Sequence, residues 1–401
     1  MKALVFNLSE VPKSQIKDKY FLVRVNFDDT HFDIIGEIDD IRMRLAIPTL
    51  KYLSENGGRL ILFNHVGRPQ GKFQKHLKTD NITKALAKLL NKPIQKIDGE
   101  IQQNGEFRLV GTHANKVVAD MKDGDIVMLE NTRFDPRENS NSAKNRLELA
   151  QDILNLVPKE KAIFVIDGFP ITHRDNTASV TEIAKLTPGV KGFWQVKEEI
   201  LHQDFLQILK SRSKQDSLTV IFGGNKADKQ HGVSKFAKMY LKNGDFIILA
   251  GKYPEGLLDK KAALLLDSKG VNIVKPIDFV GRGKDIGPQT LNQIKKILDQ
   301  TDILFWEGPV GKFEEAPFHE GGFALVKHVI HLKKQNNRLK KVFISGGELG
   351  WMSKLALNWT NEHLGSIEGF TISTGGGTSI AFFSNNGKLP GTKNLKGFIL
   401  G

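Results

Sequence analysis

Cysteine is absent from the 401-residue chain, which excludes disulfides, thiol nucleophiles and thiolate metal sites. No apolar run approaches the length of a membrane span, and the opening "MKALVFNLSEVPKSQ" holds too short an apolar run for a secretory signal. A cytoplasmic protein with no membrane partner is expected. A dense basic tract is also lacking: the net charge of +13 comes from residues spread along the chain. With neither zinc-finger spacing nor an aromatic RNA-binding signature, no nucleic-acid partner is expected. Charge alone leaves an anionic small substrate and a solvated basic surface both open. No repeat of short fixed period is visible.

What the chain does have is a regular alternation of short apolar runs with helix-length amphipathic segments. Candidate strands are residues 20–25, 59–63, 125–129, 162–166, 218–222, 246–250, 303–305 and 341–344. Between them lie segments such as "KTDNITKALAKLLN", where Asp80 is a candidate helix cap, and "HEGGFALVKHVIHLKKQ". Strand, helix, strand repetition predicts parallel sheets covered by helices on both faces. Residues 184–209 carry a Pro-Gly break and then a long helical pattern from Trp194, with no strand expected inside them. They read as a connecting helix between two α/β halves, residues 1–183 and 210–383. The tail, residues 384–401, has turn signals and an apolar finish, and is expected to pack back on the first half.

In open parallel sheets ligands gather at the carboxyl ends of strands. In the first half these ends read "RVNFDD", "NHVGRPQG", "LENTRFDPRENS" and "DGFPITHRDNTAS". Each holds an arginine, Arg24, Arg68, Arg133 or Arg174, and two hold a histidine, His65 or His173. Guanidinium forks match phosphate and carboxylate geometry, so such a set makes an anion pocket. In the second half the ends read "GGNKADK", "GKYPEG", "FWEGPVGKFEEAPF" and "SGGELG", with "ISTGGGTS" near the terminus. These glycine loops suit a nucleotide's phosphates. The stretch "IFGGNKADKQHG" is not a Walker loop, because its glycines are adjacent and Ala227 follows Lys226.

In order and wording these segments resemble phosphoglycerate kinase over nearly the whole chain, from "YFLVRVNFDD" through "DDIRMRLAIPTLKYL", "HVGRPQG", "LENTRF", "HRDNTAS", "GGNKADK", "DIGPQT", "GPVGKFE" and "ISTGGGTS" to "KLPG". The resemblance implies two doubly wound parallel-sheet α/β domains joined by a long hinge helix. It implies reversible phosphoryl transfer between 1,3-bisphosphoglycerate and MgADP in glycolysis, with Mg2+ and ADP or ATP bound and a monomeric enzyme. Carried over by motif position, Arg68, Arg133 and Arg174 hold 3-phosphoglycerate, with His65, Asn26 and Asp28 beside them. Arg42 matches the catalytic arginine, although alone it reads as a solvated helix residue. Lys226 follows the transferred phosphoryl group, and Lys229 grips nucleotide phosphate. Gly223, Gly224, Gly308, Pro309, Glu314, Gly346, Gly347, Gly375, Gly376, Gly377 and Thr378 belong to the nucleotide loops. Of these, Gly375 and Gly376 are also assigned to catalysis, through backbone amides offered to the migrating group. Glu348 is the implied metal ligand.

Several departures fall on the chemistry. The family's "RVDFN" reads "RVNFDD", so Asn26 stands for an acid and Asp28 for an amide. "WNGP" reads "WEGP", and Glu307 brings a negative charge to the phosphate loops that weakens binding unless a cation intervenes. "GGGDT" reads "SGGEL", with Glu348 for a shorter acid and Leu349 for a hydroxyl. The lysine loop is one residue short, which puts Lys229 in question, and Asn176 lies near the place of a second histidine. The acidic-substrate half keeps the pattern better than the nucleotide half. An active kinase is the leading expectation. The alternatives are a non-catalytic relative that binds phosphorylated ligands in a basic cleft, and a kinase with another acyl phosphate or nucleotide.

Overall fold

The computed structural model describes residues 3–28, 41–224, 229–251, 254–335, 338–357 and 367–400. The chain divides into two compact units, Met1–Glu199 with Lys388–Gly401, and Ile200–Gly387. Both are α/β, each built on a six-stranded parallel sheet. Among the described residues no helix is long and apolar enough to cross a membrane.

In the first unit the elements are β1 (Tyr20–Val25), α1 (Ile41–Glu55), β2 (Arg59–Phe63), α2 (Asp80–Leu90), β3 (Gln95–Ile97), α3 (Thr112–Ala119), β4 (Ile126–Leu129), α4 (Ala143–Leu154), β5 (Ala162–Asp167), β6 (Gly189–Lys191) and the start of α5 (Phe193–Ser211). The sheet order is β3-β4-β2-β1-β5-β6, all parallel. Every residue of β1 is buried, as a strand covered on both faces requires. Tyr20 and Leu22 enter one core with Ile61, Phe63 and Phe164. Phe21, Val23 and Val25 enter the other with Leu60, Leu62 and Val165. Period-two alternation thus serves two cores at once. Leu4–Val5 pairs antiparallel with Phe398–Ile399, and Gly391 N–H donates to Thr172 O at 2.8 Å, so the last residues of the chain are part of this unit.

In the second unit β7 (Leu218–Phe222), α6 (Gln230–Tyr240), β8 (Phe246–Leu249), α7 (Lys260–Ser268), β9 (Asn272–Val274), α8 (Pro288–Leu298), β10 (Ile303–Glu307), α9 (Glu320–Gln335), β11 (Lys341–Ser345), α10 (Gly347–Leu357), β12 (Phe370–Ser373) and α11 (Gly377–Ser384) follow in order. The sheet order is β9-β8-β7-β10-β11-β12, again all parallel. Each sheet has one place where successive crossovers leave in opposite directions. These switch points lie between β1 and β5 and between β7 and β10, and in sheets of this kind ligands bind at the carboxyl ends beside such points.

Two local expectations are corrected. Asp80 does not cap α2: Thr79 holds that position, and its own N–H and hydroxyl go to the buried Glu130 Oε1 at 2.8 and 3.1 Å. Asp80 instead opens the helix as its first residue, where a negative charge suits the dipole. The stretch 184–209 also contains a strand, β6, short enough that no apolar run announces it.

Asp167, the last residue of β5, is fully buried and accepts a hydrogen bond at 3.1 Å from Gln195 N–H in the first turn of α5. Burial pushes its carboxyl up to about 7, against the pull of the backbone donors of α5 and the Thr49 hydroxyl. A raised acid favours the protonated fold, so its contribution is complete below about pH 4 and is lost as pH rises through 7. Asp167→Asn retains the acceptor without the charge. Denaturation at pH 5 and pH 8 is expected to show the variant losing less stability across that window than wild type, by on the order of a few kcal/mol. Identical pH dependence in the two proteins contradicts this account.

Candidate active site

At the first switch point the chemistry starts from an arginine in a core strand. Arg24 lies on the β1 face of Tyr20 and Leu22, at the carboxyl end, and is 1% exposed. A buried guanidinium needs every donor met. Nε donates to Ser179 Oγ at 2.8 Å, NH1 to the carbonyls of Val25 and Phe63, and NH2 to His65 Nδ1 at 2.7 Å. Glu138 Oε1, equally buried, stands 3.9 Å away. Burial brings the Arg24 pKa down to about 10 despite Glu138, which still leaves the group charged at neutral pH. Arg24 is therefore a framework residue, with its donors spent on the protein.

That contact fixes its neighbour. Arginine only donates, so His65 Nδ1 accepts and the imidazole proton sits on Nε2, facing Asp28 Oδ2 at 3.5 Å. Burial, and then Arg133, hold the His65 pKa well below its ordinary value against the pull of Asp28. His65 is neutral at pH 7. Asp28 Oδ1 accepts from Gly67 N–H at 2.8 Å, and Asp28 O accepts from Arg42 NH1 at 2.8 Å. Burial opposes ionisation of Asp28, but His65, the Gly67 amide and Arg42 outweigh it and hold the carboxyl far below the usual range. Asn26 is buried and takes the Asp28 N–H on Oδ1 at 3.4 Å.

Arg133 follows β4 and donates to Gly67 O. Its pKa is lowered to about 9, by burial first and then by Arg174, with Arg24 contributing and Asp28 and Glu138 opposing. Arg133, Arg174 and Arg24 therefore lie within electrostatic reach of one another, an excess of positive charge that suits an anion. Arg174 and Arg42 are half-buried, the latter as second residue of α1, and Arg68 is exposed after β2.

At the second switch point Phe222, Glu307, Ser345 and Ser373 end their strands in register. Glycines follow each of them. Gly223 N–H donates to Glu307 O at 2.7 Å and Gly224 N–H to Pro309 O at 2.8 Å; a Cβ on Gly223 would stand 2.3 Å from Pro309 O. Gly346 (φ +116°) donates to Ser373 O and lies against Gly376 (φ +49°), and both backbones are in the positive-φ region. Only glycine suits these backbones. Gly308 also has positive φ and Pro309 is buried beside it. Gly375 N–H donates to Ser373 Oγ, Gly377 opens α11 and Thr378 is fully buried in it. Gly347 and Glu348 open α10, both half-buried, and Glu314 is half-buried in the loop before α9. Lys226 lies outside the described residues.

The cation that the Glu307 substitution calls for is present. Lys229 Nζ donates to Glu307 Oε1 at 2.5 Å, with the two side chains 11% and 2% exposed. Sequence reading also missed a hydroxyl chain beneath the glycine rim. His202 Nε2 is 2.6 Å from Ser379 Oγ, which accepts from Ser345 Oγ at 2.6 Å. The imidazole is wrapped by Phe343, Phe382 and Phe383. The strand-end serines were a legible signal, whereas nothing marks a histidine inside a helix. Among the described residues one carboxylate trio has metal-like spacing, Asp80, Asp98 and Glu130, but Lys96 already pairs with Glu130 and Asp98 at 2.7 Å each.

Comparison with known proteins agrees with this geometry. A family model described as "Phosphoglycerate kinase" matches residues 11–269 and 259–386. A phosphoglycerate kinase of Clostridium botulinum (strain Alaska E43 / Type E3) is 31% identical over 426 residues, covering 97% of this chain and 99% of its own. One from Synechococcus elongatus is 30% identical, covering 97% and 98%. The crystal structure of phosphoglycerate kinase from Pyrococcus horikoshii OT3 superposes with a TM-score of 0.71 at 21% identity, covering 98% of both chains. The Coxiella burnetii structure gives 0.61 at the same identity and coverage.

The Nε2–H tautomer of His65 makes Asp28 sensitive to loss of its charge. In Asp28→Asn one amide orientation sets NH2 against His65 Nε2–H and the other sets it against Gly67 N–H. His65 cannot yield by moving its proton to Nδ1, which Arg24 already occupies as donor. The variant is expected to lose about 1–3 kcal/mol in urea denaturation at pH 7. Wild-type stability in the variant contradicts the assigned proton positions.

Proposed function

Because the chain belongs to the phosphoglycerate kinase family, its reaction is phosphoryl transfer between 1,3-bisphosphoglycerate and ADP, and we propose how its residues divide that work. The observation that carries the reading is the guanidinium cluster at the first switch point, whose positive charge exceeds what Asp28 and Glu138 offset. In the first unit, Arg68, Arg133 and Arg174 take the phosphate and carboxylate of 3-phosphoglycerate, beside Asn26 and neutral His65. Asp28 holds the Gly67 amide and the Arg42 side chain in place through the contacts described above. Arg42 supplies positive charge to the transferring group. In the second unit the glycine rim, residues 223–224, 308–309, 346–347 and 375–378, takes the nucleotide phosphates with Lys226, and Glu314 belongs to the nucleotide site away from the phosphates.

The acceptor is a carboxylate or an ADP phosphate, ionised before it reacts, so no general base is required. Catalysis then rests on positioning and on charge matched to the equatorial oxygens. Glu348 fits Mg2+, because it offers hard carboxylate oxygens from the half-buried first turn of a helix at a strand end. When bound, the ion neutralises phosphate charge. A monomer working in the cytoplasm on small molecules completes the proposal.

The test is turnover of 3-phosphoglycerate with ATP and Mg2+, coupled to reduction of the acyl phosphate, with Lys226→Ala as the control. Arg42→Ala is expected to cut turnover by about 10²–10³ while 3-phosphoglycerate binding persists. A comparable loss of binding assigns Arg42 to ground-state binding instead. Glu348→Asp is expected to maintain or raise the Mg2+-dependent rate. A collapse of that rate shows that the longer acid belongs to a rebuilt metal site.

A further inference from the structure

The pair at the second switch point is oddly placed for a site that receives anions. Glu307 ends β10, the strand beside β7, and its carboxylate is buried to 2% exposure. Its Oε1 is held by Lys229, while its Oε2 meets no partner among the described residues. The same Oε1 lies 3.8 Å from where a Cβ on Gly376 would stand, and Lys229 Nζ lies 3.8 Å from the corresponding point on Gly224. Both charged ends therefore sit on the glycine rim itself. A solvated pair on an outer face would be of little consequence. Here the rim amides, the lysine and an anion are in one place, and the anion is the protein's own.

We propose that Glu307 is an internal competitor for the phosphate site, holding Lys229 until a nucleotide phosphate displaces it, and so sets nucleotide affinity. The inference rests on the reading of the glycine rim as the nucleotide site. Its physical basis is charge. Lys229 provides one ammonium, Glu307 neutralises it at contact distance, and a phosphate approaching the rim meets a neutral pair with an unpartnered carboxylate oxygen instead of a free cation. Binding must break that contact before the lysine can serve the ligand, so part of the attraction is cancelled in the resting site. Nucleotide release is favoured by the same amount, because the carboxylate stands ready to recover the lysine.

Glu307→Gln keeps the shape of the side chain and removes its charge, and Glu307→Asn removes the charge with a shorter side chain. Calorimetric titration of each folded variant with MgADP is expected to give a Kd about tenfold below that of wild type, and Lys229→Ala a weaker Kd than wild type. Unchanged or weaker binding in both Glu307 variants, with wild type binding normally, overturns the proposal. Weaker binding in particular assigns Glu307 to direct support of the ligand or its cation. Binding absent from wild type and from both variants refutes the nucleotide reading itself, and binding that appears only when Glu307 is replaced supports the competitor role in its strongest form.

Discussion

A parallel sheet covered by helices on both faces leaves a ligand nowhere to bind except the ends of its strands. Both units obey that constraint. All residues of β1, β7 and β10 are buried, so no side chain in these strands can reach solvent from a sheet face. Polar chemistry is pressed to the carboxyl edge, where the last residue of a strand is still held by the ladder and the next is free to turn. Arg24, Asp167, Glu307, Ser345 and Ser373 all sit at that margin. They have the rigidity of a core and the reach of a loop.

The constraint has an electrostatic cost, and the first unit meets it with an ordered set of donors and acceptors. Arg24 is buried where an apolar residue would otherwise continue the alternation. It is tolerated because carbonyls, a serine, an imidazole and Glu138 accept from it or face it. Once Arg24 is placed, His65 has only one compatible tautomer, and Asp28 then has a donor on each oxygen. Arg133 and Arg174 add further positive charge beside this set, within electrostatic reach of Arg24. A single buried guanidinium therefore organises its neighbours without spending itself on the substrate.

How much of this was legible follows from the same physics. The eight strands read from apolar runs are the inner strands of the two sheets, buried on both faces, and only their ends moved by a residue or two. Of the strands in these two six-stranded sheets, the four that were missed, β3, β6, β9 and β12, are the sheet edges, three or four residues long. An edge strand takes its conformation from its neighbour's hydrogen bonds more than from its own side chains, so it leaves little periodic signal. The arginines and most of the glycine loops were legible because they follow inner strands, whereas residues 375–377, which follow the edge strand β12, were legible from their glycine run alone. Glu307 was legible as an anomaly, but its partner was not: Lys229 precedes it by 78 residues, and only β7–β10 pairing joins them.

The departures from the family pattern make better sense as balanced changes than as isolated losses. At the end of β1 an acid and an amide have exchanged places, and both are engaged: Asn26 accepts from the Asp28 amide, while Asp28 takes Gly67 and His65. At the end of β10 an acid has entered, and a lysine meets it. In each case the charge at the strand end is met by groups that touch it. Phosphoryl transfer tolerates this because it asks the protein for charge in the right place more than for any one reactive group. A site of that kind can exchange residues in compensating pairs, and the physical unit to compare between relatives is then the contact, with both partners read together.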